Sequence, residues 1–153
     1  MKAVVQRVLR ASVDIDGVAH AAIDRGYLVL LGIRTGDTPP DAEFLAEKCA
    51  ALRVMDDGQG KMNLSLQDVG GSLLVVSQFT LYGDARKGNR PSFVAAATPA
   101  EAKPLYEGFL RRAAKLLGPE RVRSGVFGAM MQVGLVKDGP VTILVHSQHE
   151  AHS

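Results

Sequence analysis

Ser77, Gln78 and Thr80 place two hydroxyls and an amide at the end of the apolar run Leu73-Leu74-Val75-Val76. Polar side chains in such a position need hydrogen-bond partners. Neighbouring loops of the same chain would serve. So would a substrate carbonyl or a nucleotide, because α/β sheets hold ligands beyond the ends of their strands. Ser77 and Thr80 are also potential nucleophiles. An unactivated hydroxyl is weak, however, and no base stands beside either one in sequence.

Two further segments carry polar or turn-forming residues in suggestive patterns. Arg86-Lys87-Gly88-Asn89-Arg90 follows closely and is short, basic and glycine-containing. Such a loop suits phosphate contact, and it equally suits plain solvation. Asp138-Gly139-Pro140 separates two β-like runs, where Asp-Gly commonly makes a hairpin turn. Pro140 would then open the last strand. A cis Gly-Pro bond is the sharper reading, and sequence physics alone favours the plain turn.

Other chemistries lack a signal. The chain has no Gly-x-Ser-x-Gly elbow, no P-loop and no His-Glu-x-x-His. His146, His149 and His152 crowd the C-terminus and read as part of a polar tail over residues 147–153 and its edge. His20 has no visible partner. The single cysteine, Cys49, excludes an internal disulfide and any multi-cysteine metal site. A net charge of +2 permits an anionic partner without demanding one. No apolar run approaches the ~20 residues of a membrane span. Charge within the first apolar run argues against a secretion signal, so a cytosolic protein is expected.

The elements that must position these residues are readable in outline. The 153 residues suit one domain, expected over residues 1–146. Val4, Val5, Val8 and Leu9 sit in a first mixed run; Val13 and Ile15 then alternate with aspartates up to Asp16-Gly17, a strand entering a hairpin. Gly26-Tyr27-Leu28-Val29-Leu30-Leu31-Gly32-Ile33 and Leu73-Leu74-Val75-Val76-Ser77-Gln78-Phe79 are continuous enough to be strands buried on both faces. Met131, Val133 and Leu135 alternate, and Val141-Thr142-Ile143-Leu144-Val145 makes the last strand. Thr38-Pro39-Pro40-Asp41 opens one helix, with Leu45, Cys49 and Leu52 on one face. Thr98-Pro99-Ala100-Glu101 has capping-box spacing and opens a second. Leu105, Phe109, Ala113 and Leu116 form its stripe, Gly118-Pro119 ends it, and Pro104 is expected to distort an early turn. Paired strands split by two main helices predict an α/β domain with a mixed sheet.

Several blocks, in order, resemble the D-aminoacyl-tRNA deacylase family. Residues 1–12, MKAVVQRVLRAS, look like that family's opening strand. Gly60-Lys61-Met62-Asn63-Leu64-Ser65 and Gln67-Asp68-Val69-Gly70-Gly71 resemble its central loop. Ser77-Gln78-Phe79-Thr80-Leu81 and Lys87-Gly88-Asn89-Arg90-Pro91-Ser92-Phe93 resemble its pocket segments. Phe127-Gly128-Ala129-Met130-Met131-Gln132-Val133 is similar to its later pocket wall, with Phe127 and Met130 as wall residues. Asp138-Gly139-Pro140-Val141-Thr142 resembles its second signature. One departure is plain: Lys137 stands where the family usually has Asn.

The resemblance implies a deacylase-like fold and hydrolysis of the ester of D-aminoacyl-tRNA, with glycyl-tRNA mischarged on tRNA-Ala as a further substrate. It implies a homodimer in which Gly139 and Pro140 of one subunit enter the pocket of the other and exclude L-aminoacyl groups with their carbonyls. Ser77, Gln78, Phe79 and Thr80 become the catalytic segment. Arg86, Lys87 and Arg90 become candidates for contact with tRNA phosphates. The family resemblance also points toward substrate-assisted hydrolysis, a terminal ribose hydroxyl helping a water attack, with no metal or organic cofactor. A sister hydrolase of relaxed chirality and a non-catalytic dimeric RNA-binding module remain the alternatives.

Overall fold

The computed structural model describes residues 1–147. Strand β1 (Lys2–Ile15) is the spine of the sheet. It pairs antiparallel with β2 (Val18–Ile23), β3 (Gly26–Gly32) and β8 (Gln132–His146). At the β1–β2 turn Asp16 has φ 52° and Gly17 has φ 75°. This doubly left-handed pair matches strand twist in a two-residue hairpin. β3 then pairs parallel with β6 (Ser72–Ser77), and β6 parallel with β7 (Val122–Ser124). The main sheet is therefore mixed, with path β2-β1-β3-β6-β7 and β8 on the other side of β1.

Between β3 and β6 lie α1 (Pro39–Ala51), the small β4 (Met55–Asp56) and β5 (Met62–Leu64) ladder, and the one-turn α2 (Leu66–Val69). Between β6 and β7 lies α3 (Pro99–Leu117). Both long helices begin as their capping residues predict. In α3, the Glu101 amide donates to Thr98 Oγ1 at 3.4 Å and the Thr98 amide to Glu101 Oε2 at 3.2 Å. Pro104 is accommodated inside α3, which continues to Gly118.

The central strands bury both faces. Tyr27, Val29, Leu31, Leu73 and Val75 pack with Leu45, Cys49, Leu105 and Phe109 of the helices. Leu28, Leu74 and Val76 face a second cluster with Val8, Ala11 and Val13. β1 contributes Ala3 and Val5 to the first cluster and Val8, Ala11 and Val13 to the second. Its pairing with β8 shifts register between Gln6 and Val8 and between Val8 and Arg10, so the strand changes core face there.

Four details differ from the sequence reading. The third apolar run leaves the sheet after Ser77: Gln78 and Phe79 enter a 3-10 turn, Phe79–Tyr82. Asp138-Gly139-Pro140 is no hairpin turn; β8 runs through it as one strand with a bulge, because long-range pairing with β1 continues on both sides. Ser147, the first residue of the expected polar tail, packs against Met1. It is buried, its amide donates to the Met1 carbonyl at 2.9 Å, and its Oγ accepts from the Met1 amine at 3.2 Å. In α3 the buried stripe ends on Leu117, with Leu116 only half-buried. His146 closes β8 opposite Lys2, and His20 lies in β2. His149 and His152 fall outside the described residues.

Candidate functional site

A cavity of about 610 Å³ opens where β6 ends. Ser77, Gln78 and Phe79 form one side, Phe93, Ala96 and Ala97 another, and Phe127, Met130 and Met131 a third, with Pro99 and Ala102 from the start of α3. The floor is fixed by backbone and by one buried phenol. The Gln78 amide donates to the Leu31 carbonyl at 2.8 Å, extending the β3–β6 pairing one residue past the strand. Tyr106 donates from its hydroxyl to the Val75 carbonyl at 3.2 Å, and its ring lies 5.7 Å from that of Phe127. Burial pushes the Tyr106 phenol up to about 12, so at ordinary pH it remains a neutral donor.

The segment after Ser77 is held by its own turn. Leu81 and Gly83 donate to the carbonyls of Gln78 and Thr80 at 3.3 and 2.9 Å. Gln78 Nε2 donates to Thr80 Oγ1. Phe79 and Phe93 meet edge to face with ring centroids 5.3 Å apart. That is close to the geometry aromatic pairs prefer. A Cβ at Gly83 would stand 2.9 Å from the Phe93 ring and 3.0 Å from the Thr80 carbonyl, so that position must be glycine for the pair to close. Thr80 is exposed and supports Gln78; it does not itself line the cavity.

Among the described residues no lining side chain titrates. The polar side chains facing the cavity are Ser77 and Gln78, and the rest of the wall is aliphatic, aromatic or thioether. The site can orient and hydrogen-bond a substrate, and its wall offers no side-chain acid or base. Of its lining residues, Phe79 is 57% exposed, Met130 80% and Phe93 39%. A monomer would ordinarily cover such a cluster of apolar side chains.

The loop beyond it is closed by paired hydrogen bonds between Asp84 and Ser92 at 2.7 and 2.9 Å. Arg86 is not a free cation there. Its Nε and Nη2 chelate the Asp84 carboxylate at 2.7 to 3.1 Å. Those hydrogen bonds hold the Asp84 carboxyl down to about 2. Lys87 and Arg90 are exposed and make no ion pair among the described residues.

Gly139 and Pro140 lie elsewhere. Both are exposed on β8 and neither lines the cavity of the same chain. Their peptide bond is cis and Gly139 has φ 124°. Sequence reading missed the residue beneath them. Arg7, 5% exposed, donates from Nε to the Asp138 carbonyl at 3.1 Å and pairs with Asp138 Oδ2 at 3.4 Å. Its Nη1 reaches the Val54 carbonyl at 2.8 Å and Asp56 Oδ1 at 3.2 Å. A buried arginine in the opening strand's inward register was the available signal, since an unpaired charge there would be costly.

The family model described as D-Tyr-tRNA(Tyr) deacylase matches residues 4–146. The chain belongs to the D-aminoacyl-tRNA deacylase family. The D-aminoacyl-tRNA deacylase of Koribacter versatilis is 59% identical over 98% of this chain and 99% of its own. That of Thermus aquaticus is 56% identical over 98% and 97%. Among solved structures, a c-Myc DNA Unwinding Element Binding Protein superposes with a TM-score of 0.91 at 46% identity, covering 96% of this chain and 99% of that one. A probable eukaryotic D-amino acid tRNA deacylase shares the fold alone, with a TM-score of 0.81 at 16% identity over 94% and 97% of the two chains. Membership in this deacylase family makes the chain a hydrolase of carboxylic ester bonds. Among the described residues no helix is long and apolar enough to cross a membrane.

Proposed function

We propose that the chain hydrolyses the ester of D-aminoacyl-tRNA, and of glycyl-tRNA mischarged on tRNA-Ala, releasing free amino acid and tRNA in the cytoplasm. The observation that carries the mechanism is a cavity wall whose described residues bear no titratable side chain. On this reading acid–base work comes from water and substrate. The terminal ribose supplies a hydroxyl vicinal to the ester. That hydroxyl assists a water in attacking the ester carbonyl; the acyl carbon–oxygen bond breaks, and the departing ribose oxygen takes up a proton. The protein orients the ester and stabilises the oxyanion. Ser77 and Gln78 line the wall where that ester would lie. The first amides of the 3-10 turn, at Phe79 and Thr80, have no intrahelical acceptor.

Selection against L-aminoacyl groups is assigned to Gly139 and Pro140 of a second copy in a homodimer. Two features support this. The pair is exposed on β8 and does not line its own cavity, and the cavity wall leaves Phe79, Phe93 and Met130 exposed. Carbonyls of the incoming pair would occupy the volume of an L side chain. A D side chain would point away, and glycine would have nothing to clash. The test compares initial rates on D-Tyr-tRNA, L-Tyr-tRNA and Gly-tRNA. Cleavage of the D and glycyl substrates with the L form spared is expected. Equal cleavage of L-Tyr-tRNA would make the chain a relaxed sister hydrolase, and binding without cleavage would make it an RNA-binding module.

A further inference from the structure

The bulge that carries Gly139 and Pro140 has two fasteners, and only the inner one, Arg7, is buried. In the β1–β8 ladder, Gln6 stands opposite Thr142 and Val8 opposite Lys137. Residues 138–141 therefore share the space opposite the single residue Arg7, and Lys137 and Thr142 are the two residues at the neck of the bulge. Lys137 Nζ donates to Thr142 Oγ1, closing that neck on the solvent side. On the inner side, Arg7 holds the Asp138 carbonyl.

We propose that Lys137 is a positioning residue: its hydrogen bond to Thr142 staples the neck of the bulge and sets how tightly the Gly139–Pro140 carbonyls are aimed. A bulge held only at its base by Arg7 can still rock about the two ladder positions that flank it. Tying those positions together removes that freedom. Lysine suits the task because its ammonium presents donors on a stem long enough to cross from one flank to the other. The donor and the hydroxyl acceptor are what matter, so the charge itself is replaceable by another donor of similar reach.

This inference rests on the assignment of Gly139 and Pro140 as the chiral selector, and the experiment separates the two. Lys137→Met keeps the stem and removes the donor; Thr142→Val keeps the shape and removes the acceptor. Each is expected to lower the D-Tyr-tRNA to L-Tyr-tRNA rate ratio by about 3- to 10-fold, the factor one exposed hydrogen bond supplies. The double variant should be no worse than either single one, because both remove the same bond. Lys137→Arg and Thr142→Ser should restore the ratio, which a general loss of stability would not allow. Hydrogen exchange at the Gly139 and Val141 amides should quicken in Lys137→Met. An unchanged ratio in both single variants, or additive losses in the double, overturns the proposal. If Pro140→Ala leaves the ratio untouched, the selector assignment fails instead, and the staple is judged by exchange alone: unchanged exchange in Lys137→Met overturns it.

Discussion

The β6 terminus and the β8 bulge are opposite kinds of surface built by one sheet. The first is concave: two parallel strands end together, the chain turns away at Phe79, and an apolar cavity with polar Ser77 and Gln78 on its wall remains. The second is convex: an antiparallel ladder absorbs surplus residues, which project outward over a buried guanidinium. Each lacks what the other has. The cavity is apolar apart from Ser77 and Gln78, and neither Gly139 nor Pro140 of its own chain lines it. The bulge is a pair of exposed residues with nothing of its own chain to act on. In the proposed reading a socket and a plug are made in one chain and used between two.

The largest expected effect tests the socket. If the wall truly supplies no base, a D-Tyr-tRNA ending in 2′-deoxyadenosine should be cleaved at least ~100-fold more slowly, the low end of what a positioned proton-transfer group contributes. Thr80→Ala should retain turnover within about 10-fold, since Thr80 only receives the Gln78 amide. An acyl-enzyme trapped on Ser77 or Thr80 would reverse this view and make the socket a nucleophilic site.

The plug is tested next through its foundation. Arg7→Met leaves the Asp138 and Val54 carbonyls without their donor in a largely buried setting. A loss of about 2–3 kcal/mol in unfolding free energy is expected from chemical denaturation. The D-to-L rate ratio should fall with it while D-Tyr-tRNA still enters the cavity. Loss of substrate binding with the ratio intact would mean that Arg7 serves the fold and not the bulge. Pro140→Ala is a milder change. It frees one φ angle at the tip and leaves Arg7 in place, so a fall of roughly 10-fold in the ratio is expected, with tRNA affinity held. A variant that still cleaves the D form at the original ratio would remove Gly139–Pro140 from chiral selection.

The two regions also differ in how far they can be read from sequence. The socket is made of local signals. Ser77 and Gln78 follow an apolar run, and Thr98 with Glu101 announces the helix whose start lines the cavity. Even there, the departure of Phe79 from the strand is invisible. An aromatic residue suits a strand, and it equally suits the edge-to-face pair with Phe93 that pulls it away. The plug is made of long-range signals. Asp138-Gly139 is an ordinary turn dipeptide, and only the pairing of β8 with β1 on both sides keeps it inside one strand. Arg7 lies 131 positions from Asp138, so nothing local announces their contact. The burial of Ser147 is hidden for the same reason: its partner is Met1, 146 positions away.

The smallest expected effect concerns the basic loop beside the socket, whose three cations look equivalent in sequence and are not equivalent in space. Arg86 is chelated by Asp84, and the hydrogen bonds that hold the Asp84 carboxyl at about 2 keep it ionised at any assay pH. A depressed carboxyl loses its pairing only as pH falls through that folded value, so the Asp84–Arg86 pair stays intact from mildly acidic to alkaline conditions. Its net charge is then near zero, and it has little left to offer a phosphate. Lys87 and Arg90 carry their charge unpaired among the described residues. Replacing both with Ala should weaken tRNA binding a few-fold at low salt and flatten the log–log salt slope by about 1.5, close to two released counterions. Arg86→Ala should move that slope by less than about 0.5 on the same scale. A slope that responds to Arg86 as strongly as to Lys87 and Arg90 would mean that tRNA breaks the Asp84 chelate on binding, and that the loop reorganises around the acceptor stem instead of meeting it preformed.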